Sequence, residues 1–142
     1  MDARSSRYHD VYAHWQRSPE VFWAEAAAGI DWYEKPKKIF DKDAGIYGRW
    51  FAGATCNTCY NALDRHVLAG RNDQPALICD SPVTNTIKPF TYGRMLSEVQ
   101  LLGAMLRDFG VEKGDRVIIY MPMVPEAVFA MLACARIGAI HS

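Results

Sequence analysis

The sequence predicts an α/β protein in which an irregular, helix-bearing N-terminal extension leads into the first strand–helix units of a parallel sheet. Three observations carry this. Residues 61–142 alternate apolar strand-like runs with helix-like runs, the pattern of strand–helix–strand units. The last stretch, Val117 to Ser142, reads as a buried strand, a turn built on Pro122 and Pro125, and a buried helix. Trp15, Trp23, Trp32 and Trp50, all four tryptophans of the chain, fall within residues 1–60, where no such alternation exists.

The N-terminal elements follow from local signals. Tyr8 to Gln16 reads as a short amphipathic helix with Val11, Tyr12 and Trp15 on one side. Ser18-Pro19-Glu20 reads as a helix start: Ser as cap, Pro at the first helical position, Glu at the positive end of the dipole. That helix runs through Phe22 and Trp23 to Gly29. Lys35-Pro36-Lys37-Lys38 is a basic connector, read as a solvated loop in preference to a phosphate site.

Beyond residue 60 the punctuation is clearer. Asn61 reads as the cap of a helix with Asp64 at its third position, ended by Gly70. Ala76 to Asp80 is a short apolar strand, and Pro82 to Pro89 a turn-rich excursion. Thr91 caps a longer helix whose apolar positions are Tyr92, Met95, Leu96, Val99, Leu102, Leu106 and Phe109, spaced on the 3.6-residue period. Gly110 ends it. Lys113-Gly114-Asp115 is a turn, Val117 to Met121 the next strand, and Pro125-Glu126 the start of a final helix that Gly138 stops. A crossover helix serves to deliver a second parallel strand. No such strand is read after Gly138, so the chain is expected to be the front part of something longer.

Composition excludes several classes. Sixteen Lys plus Arg balance sixteen Asp plus Glu, so no net field favours nucleic acid or an anionic membrane. No apolar run reaches the roughly 18 residues needed to span a bilayer, and Ala127 to Ile140 carries Arg136. The start, Met1-Asp-Ala-Arg-Ser-Ser-Arg-Tyr8, has no apolar secretory core. A cytoplasmic home with reduced cysteines is the default expectation.

Candidate chemistry is sparse. Cys56-Asn-Thr-Cys59 is a C-x-x-C, and three readings stay open: structural thiols, a redox pair at a helix start, or half of a zinc site. Cys79 and Cys134 stand singly in apolar contexts. Asp64-Arg65-His66 points in several directions around a helix and reads as structural ion pairing in preference to a catalytic set. His9 and His14 do not share a helix face. A nucleophile elbow, a P-loop and a dinucleotide fingerprint are all missing. The loop Met121-Pro-Met-Val-Pro125 lies where open α/β sheets place ligands, yet it carries no acid, base or nucleophile. No catalytic, cofactor-binding or metal-binding residue is therefore assigned.

Three segments give the chain a specific resemblance. Trp50-Phe-Ala-Gly-Ala-Thr-Cys-Asn-Thr-Cys-Tyr-Asn-Ala-Leu-Asp-Arg-His66 is similar to a W-F-x-G-G…N-x-x-Y-N-x-x-D-R-H stretch. Gly114-Asp-Arg-Val-Ile-Ile-Tyr-Met-Pro-Met-Val-Pro-Glu-Ala-Val128 is similar to G-D-R-V-x-I-Y-M-P-M-x-P-E-A-V. Met131 to Ser142 is similar to the segment before a V-V-F-G-G-F strand and turn. Together they resemble the N-terminal part of short-chain acyl-CoA synthetases of the AMP-forming, adenylate-forming superfamily. Asn57 to Asp64 and Asp80 to Thr86 look more like propionyl-CoA than acetyl-CoA synthetases. Ala54 departs from the pattern, standing where a second glycine is usual. If that position needs positive φ, the strain is about 1 kcal/mol.

The resemblance implies an N-terminal extension over residues 1–60 and the beginning of the AMP-binding domain over 61–142. It implies a complete ligase that uses ATP, Mg²⁺ and coenzyme A, with propionate first and acetate second as the carboxylate. Acyl-AMP forms first, and coenzyme A then takes the acyl group. The resemblance places the phosphate loop and catalytic lysine beyond Ser142, so residues 1–142 alone are expected to be inactive and to bind none of these cofactors. They are also expected to self-associate through uncovered apolar surface. The alternative is a stand-alone α/β binding or redox module using Cys56 and Cys59.

Overall fold

The computed structural model describes residues 6–142 and divides into two compact units, one ending at Cys56 and one beginning at Asn57. In the first unit, α1 (Tyr8–Arg17) and α2 (Pro19–Ala27) follow one another with Ser18 between them. Pro19 opens α2 as expected, but the Ser18 side chain makes no capping hydrogen bond. The helix ends at Ala28, one residue before the expected glycine stop. The Trp32 indole Nε1 donates to the Ala27 carbonyl at 2.8 Å, tying the chain after α2 back onto its last turn.

The aromatic stretch is not as irregular as its sequence suggests. β1 (Lys38–Asp41) and β2 (Arg49–Ala52) form an antiparallel hairpin. Phe40 stands opposite Trp50, ring centroids 4.7 Å apart, a cross-strand aromatic pair that fixes the register. The strain expected at Ala54 does not arise. Gly53 adopts positive φ (77°), and so does Phe51 (50°), whereas Ala54 does not.

The second unit opens on a helix whose early residues, Tyr60–Asp64, wind as a π-helix before passing into α3 (Arg65–Leu68). Asn61 is not its cap: the Tyr60 amide donates to Asn57 Oδ1 at 3.0 Å, four residues earlier than expected. Gly70, at φ +79°, closes the helix, and the Arg71 amide reaches back to the His66 carbonyl at 3.0 Å.

β3 (Pro75–Ser81) matches the expected strand, but its partner was hidden in the sequence. The supposed excursion over 82–89 contains most of β4 (Thr86–Thr91), which pairs antiparallel with β3 through a short turn with Asn85 at φ 52°. Pro89 lacks an amide donor and is tolerated because β4 has a single neighbour. Thr91 then caps α4 (Tyr92–Asp108), accepting from the Arg94 amide at 3.2 Å. Of its predicted apolar stripe, Met95 and Val99 are buried and Phe109, past the last turn, is exposed.

β5 is only Arg116–Val117, shorter than the strand expected over 117–121. α5 (Pro125–Ile137) begins and ends as expected, with Gly138 at φ +83°. The expectation that no second strand follows is corrected: β6 (Ile140–His141) pairs parallel with β5. The ladder extends one step each way, with the Ile140 amide on the Asp115 carbonyl at 2.7 Å and the Ile119 amide on the Ser142 carbonyl at 2.7 Å. Parallel pairing among the described residues is confined to this pair, since β1–β2 and β3–β4 are antiparallel. Cys59, Leu63, Phe90, Met95, Val99, Phe129 and Ala133 form the core of this unit, bringing the π-turn, β4, α4 and α5 together.

Candidate functional site

The principal polar assembly of the second unit sits where the helix begun at Asn57 meets the last turn of α5. Helix 125–137 is apolar almost throughout, so Arg136 enters a half-buried environment and needs a partner. Asp64 supplies it. Arg136 Nη1 donates to Asp64 Oδ2 at 2.8 Å and Oδ1 at 3.0 Å, and Nη2 donates to Oδ1 at 3.0 Å. This is a forked guanidinium–carboxylate contact, the strong form of the interaction. The Asp64 hydrogen bonds hold the Arg136 guanidinium above its ordinary pKa against an opposing effect of burial.

Asn57 completes the assembly from the other side. Its Nδ2 donates to the carbonyls of Ala135 and Arg136, both at 3.1 Å, while its Oδ1 accepts from the Tyr60 amide. One side chain thus caps the start of one helix and the end of another, satisfying groups that a helix terminus leaves orphaned. Asn61 Nδ2 donates to the Asn57 carbonyl at 3.1 Å, and Arg65 donates to Asn61 Oδ1 at 3.0 Å.

Cys59 is fully buried in the core, with Arg136 Nη1 3.8 Å from its sulfur, and burial pushes its thiol pKa up. Cys56 is exposed, and all four cysteines are free. A raised pKa and zero exposure are the reverse of what a redox nucleophile needs, so the geometry favours structural thiols. Asp64, Arg65 and His66 do diverge: Asp64 faces Arg136, Arg65 faces Asn61, and His66 Nδ1 lies 2.9 Å from Arg71 Nη1 beside the Tyr92 ring. His14 lies 3.8 Å from Glu25 and edge-on to Phe22. Among the described residues no three His, Cys, Asp or Glu side chains converge to hold a metal.

The loop after β5 is uncovered. Ile118, Tyr120 and Met123 are 82%, 100% and 99% exposed, while Val117 and Ile119 turn inward, so only one face of this segment is covered. Beside it, Met121, Leu101, Leu102, Met105 and Phe129 line an apolar groove of about 270 Å³ with Glu98 and Glu126 at its margin. Asn57 and Arg136 are what the sequence reading missed. The available signal was Arg136 itself, a single charge in an apolar helix that had to find an acid.

A parallel strand–helix–strand unit, with the Asp64–Arg136 pair at the end of its helix, makes the second unit an α/β architecture. Residues 63–142 match the AMP-binding enzyme family, and the chain belongs to that family. Residues 8–62 match the acetyl-coenzyme A synthetase N-terminus. The human mitochondrial acyl-CoA synthetase short-chain family member 3 is 48% identical over 137 residues, covering 96% of this chain and 20% of that protein. The propionate–CoA ligase of Salmonella typhimurium is 44% identical over 138 residues, covering 95% of this chain and 21% of that protein. The structure of the acetoacetyl-CoA synthetase from Streptomyces lividans superposes with a TM-score of 0.79 at 31% identity, covering 91% of this chain and 20% of that one. The chain thus spans about a fifth of the length of the curated relatives it matches. No helix among the described residues is long and apolar enough to cross a membrane.

Proposed function

We propose that this chain is the N-terminal part of an AMP-forming acyl-CoA ligase. In this reading the ligase activates propionate with Mg-ATP to propionyl-AMP and then passes the acyl group to coenzyme A, with acetate as second carboxylate. The observation that carries the reading is the adjoining pair of family matches over 8–62 and 63–142, in the order an N-terminal extension and an AMP-binding domain require. Propionate is favoured by the local sequences Asn57–Asp64 and Asp80–Thr86. A relative named for propionate and a matching family named for acetyl-coenzyme A both support a short-chain acid. The reading places the proposed domains at 1–60 and 61–142 and assigns no catalytic residue to either. It places the protein in the cytoplasm, and relatives with a mitochondrial name make cell fractionation the relevant check.

The test is carboxylate-dependent ATP–pyrophosphate exchange by the protein expressed from its whole reading frame. Exchange with propionate at a higher kcat/KM than with acetate supports the proposal. A preference for acetate overturns the substrate, and no exchange with any short-chain acid overturns the ligase. Residues 1–142 alone are expected to give no exchange, because adenylation needs donors and Mg²⁺ placed around the α-phosphate. They are also expected to self-associate through Ile118, Tyr120 and Met123, which sedimentation velocity would detect.

A further inference from the structure

We propose that Asn57, Asp64 and Arg136 act as a positioning lock for the ligand-binding edge at the carboxyl ends of β5 and β6, setting its geometry without touching substrate. The inference rests on the ligase reading for the identity of the substrates, but its structural basis is independent. Only Gly138 and Ala139 separate the last turn of α5 from β6. Ala139 is buried, and its amide is bonded to the Cys134 carbonyl at 2.9 Å. The orientation of the helix end therefore passes into the strand with little slack.

Two attachments fix that helix end from different elements. On one side stand the forked Asp64–Arg136 pair and the paired Asn57 bonds to the Ala135 and Arg136 carbonyls. On the other, the Gly114 amide donates to the Gly138 carbonyl at 2.9 Å, and the aliphatic stem of Lys113 lies over Gly138. An apolar contact would give comparable stability at the same place, since half-buried ion pairs add little of it. A forked pair adds direction, and ligands of open α/β sheets sit at the carboxyl ends of the strands so directed.

The experiment compares the parent, Asp64→Asn, Arg136→Lys and the reversal Asp64→Arg/Arg136→Asp, each in the protein from its whole reading frame. Each single variant is expected to raise KM for one of the three substrates by on the order of 10-fold with the other two nearly unchanged, although the melting temperature falls. Hydrogen exchange in peptides covering 138–142 is expected to quicken about 10-fold, while peptides covering 95–103 in α4 hold their rate. The reversal is expected to recover part of both effects. Unchanged kinetics, or a loss uniform across substrates that tracks melting temperature, overturns the lock. A parent without ligase activity would sink the proposed function instead, and the exchange comparison then decides the lock by itself.

Discussion

Asp64 and Arg136, 72 residues apart in the chain, meet through three hydrogen bonds of 2.8 to 3.0 Å. Their side chains are 15% and 28% exposed, so water reaches the pair only in part. Removing one partner leaves the other charge half-desolvated. Arg136→Ala is expected to cost about 2 kcal/mol, below the 3–5 kcal/mol of a fully buried pair. Urea unfolding of the single and double alanine variants checks this, with a favourable coupling of about 1 kcal/mol between the sites expected.

Two helix starts with a hydroxyl residue at the cap position are expected to respond differently. Thr91 accepts from the Arg94 amide, whereas Ser18 makes no capping bond. Thr91→Ala is expected to lose about 1 kcal/mol and Thr91→Ser to lose little. Ser18→Ala is expected to stay within about 0.5 kcal/mol of the parent. Thermal denaturation of the three variants is the measurement, and an equal loss at both alanine sites would contradict the geometry.

Gly110 and Gly138 both close helices in the left-handed region, at φ +85° and +83°. An added Cβ at Gly110 meets nothing within 4 Å, but at Gly138 it would lie 2.8 Å from Lys113 Cγ. Gly110→Ala is expected to cost about 1 kcal/mol, the backbone term alone. Gly138→Ala is expected to cost more, because the Lys113 stem must also move. Lys113→Ala in the Gly138→Ala background is expected to return part of the difference in chemical denaturation.

The cysteines are expected to separate by accessibility and by pH. Cys56 is exposed and is expected to react first with an aromatic disulfide reagent, whereas Cys59 and Cys134, both fully buried, react only after unfolding. Burial raises the pKa of Cys59 and of Cys134. The unfolded thiols therefore ionise first as pH rises. This contribution to stability is complete below the unfolded thiol value, about 8.5, and is lost as pH climbs towards the raised folded values. Cys59→Ala is expected to flatten the alkaline fall in unfolding free energy.

What was legible in the sequence was what neighbours decide. Thr91, Gly70, Gly110 and Gly138 announce helix ends within a few residues of themselves, and all four do so in the structure. The partners chosen at a distance were not legible. β4 was masked by Pro82 and Pro89, which argue against a strand unless it stands at an edge. The β1–β2 hairpin lacks a tight-turn signature, its strands being joined by seven residues, 42–48, with glycines at 45 and 48. β6 is two residues long and exists because β5 lies beside it. Asn57 and Asn61 are both residues that can cap, and local sequence does not choose between them. Only the packing of α5 shows that Asn57 has two helix ends to serve.

The π-wound turn over Tyr60–Asp64 also says how the chain can change length. Such a turn is one surplus residue absorbed into an α-helix, with the helix on either side kept in phase. In a regular helix, losing a residue swings everything beyond it by about 100°. Here the loss of one residue within the turn would instead restore ordinary winding, leaving Cys59 before it and His66 after it on their present faces. The wide turn is thus a built-in expansion joint, where the loss of one residue is absorbed within the helix.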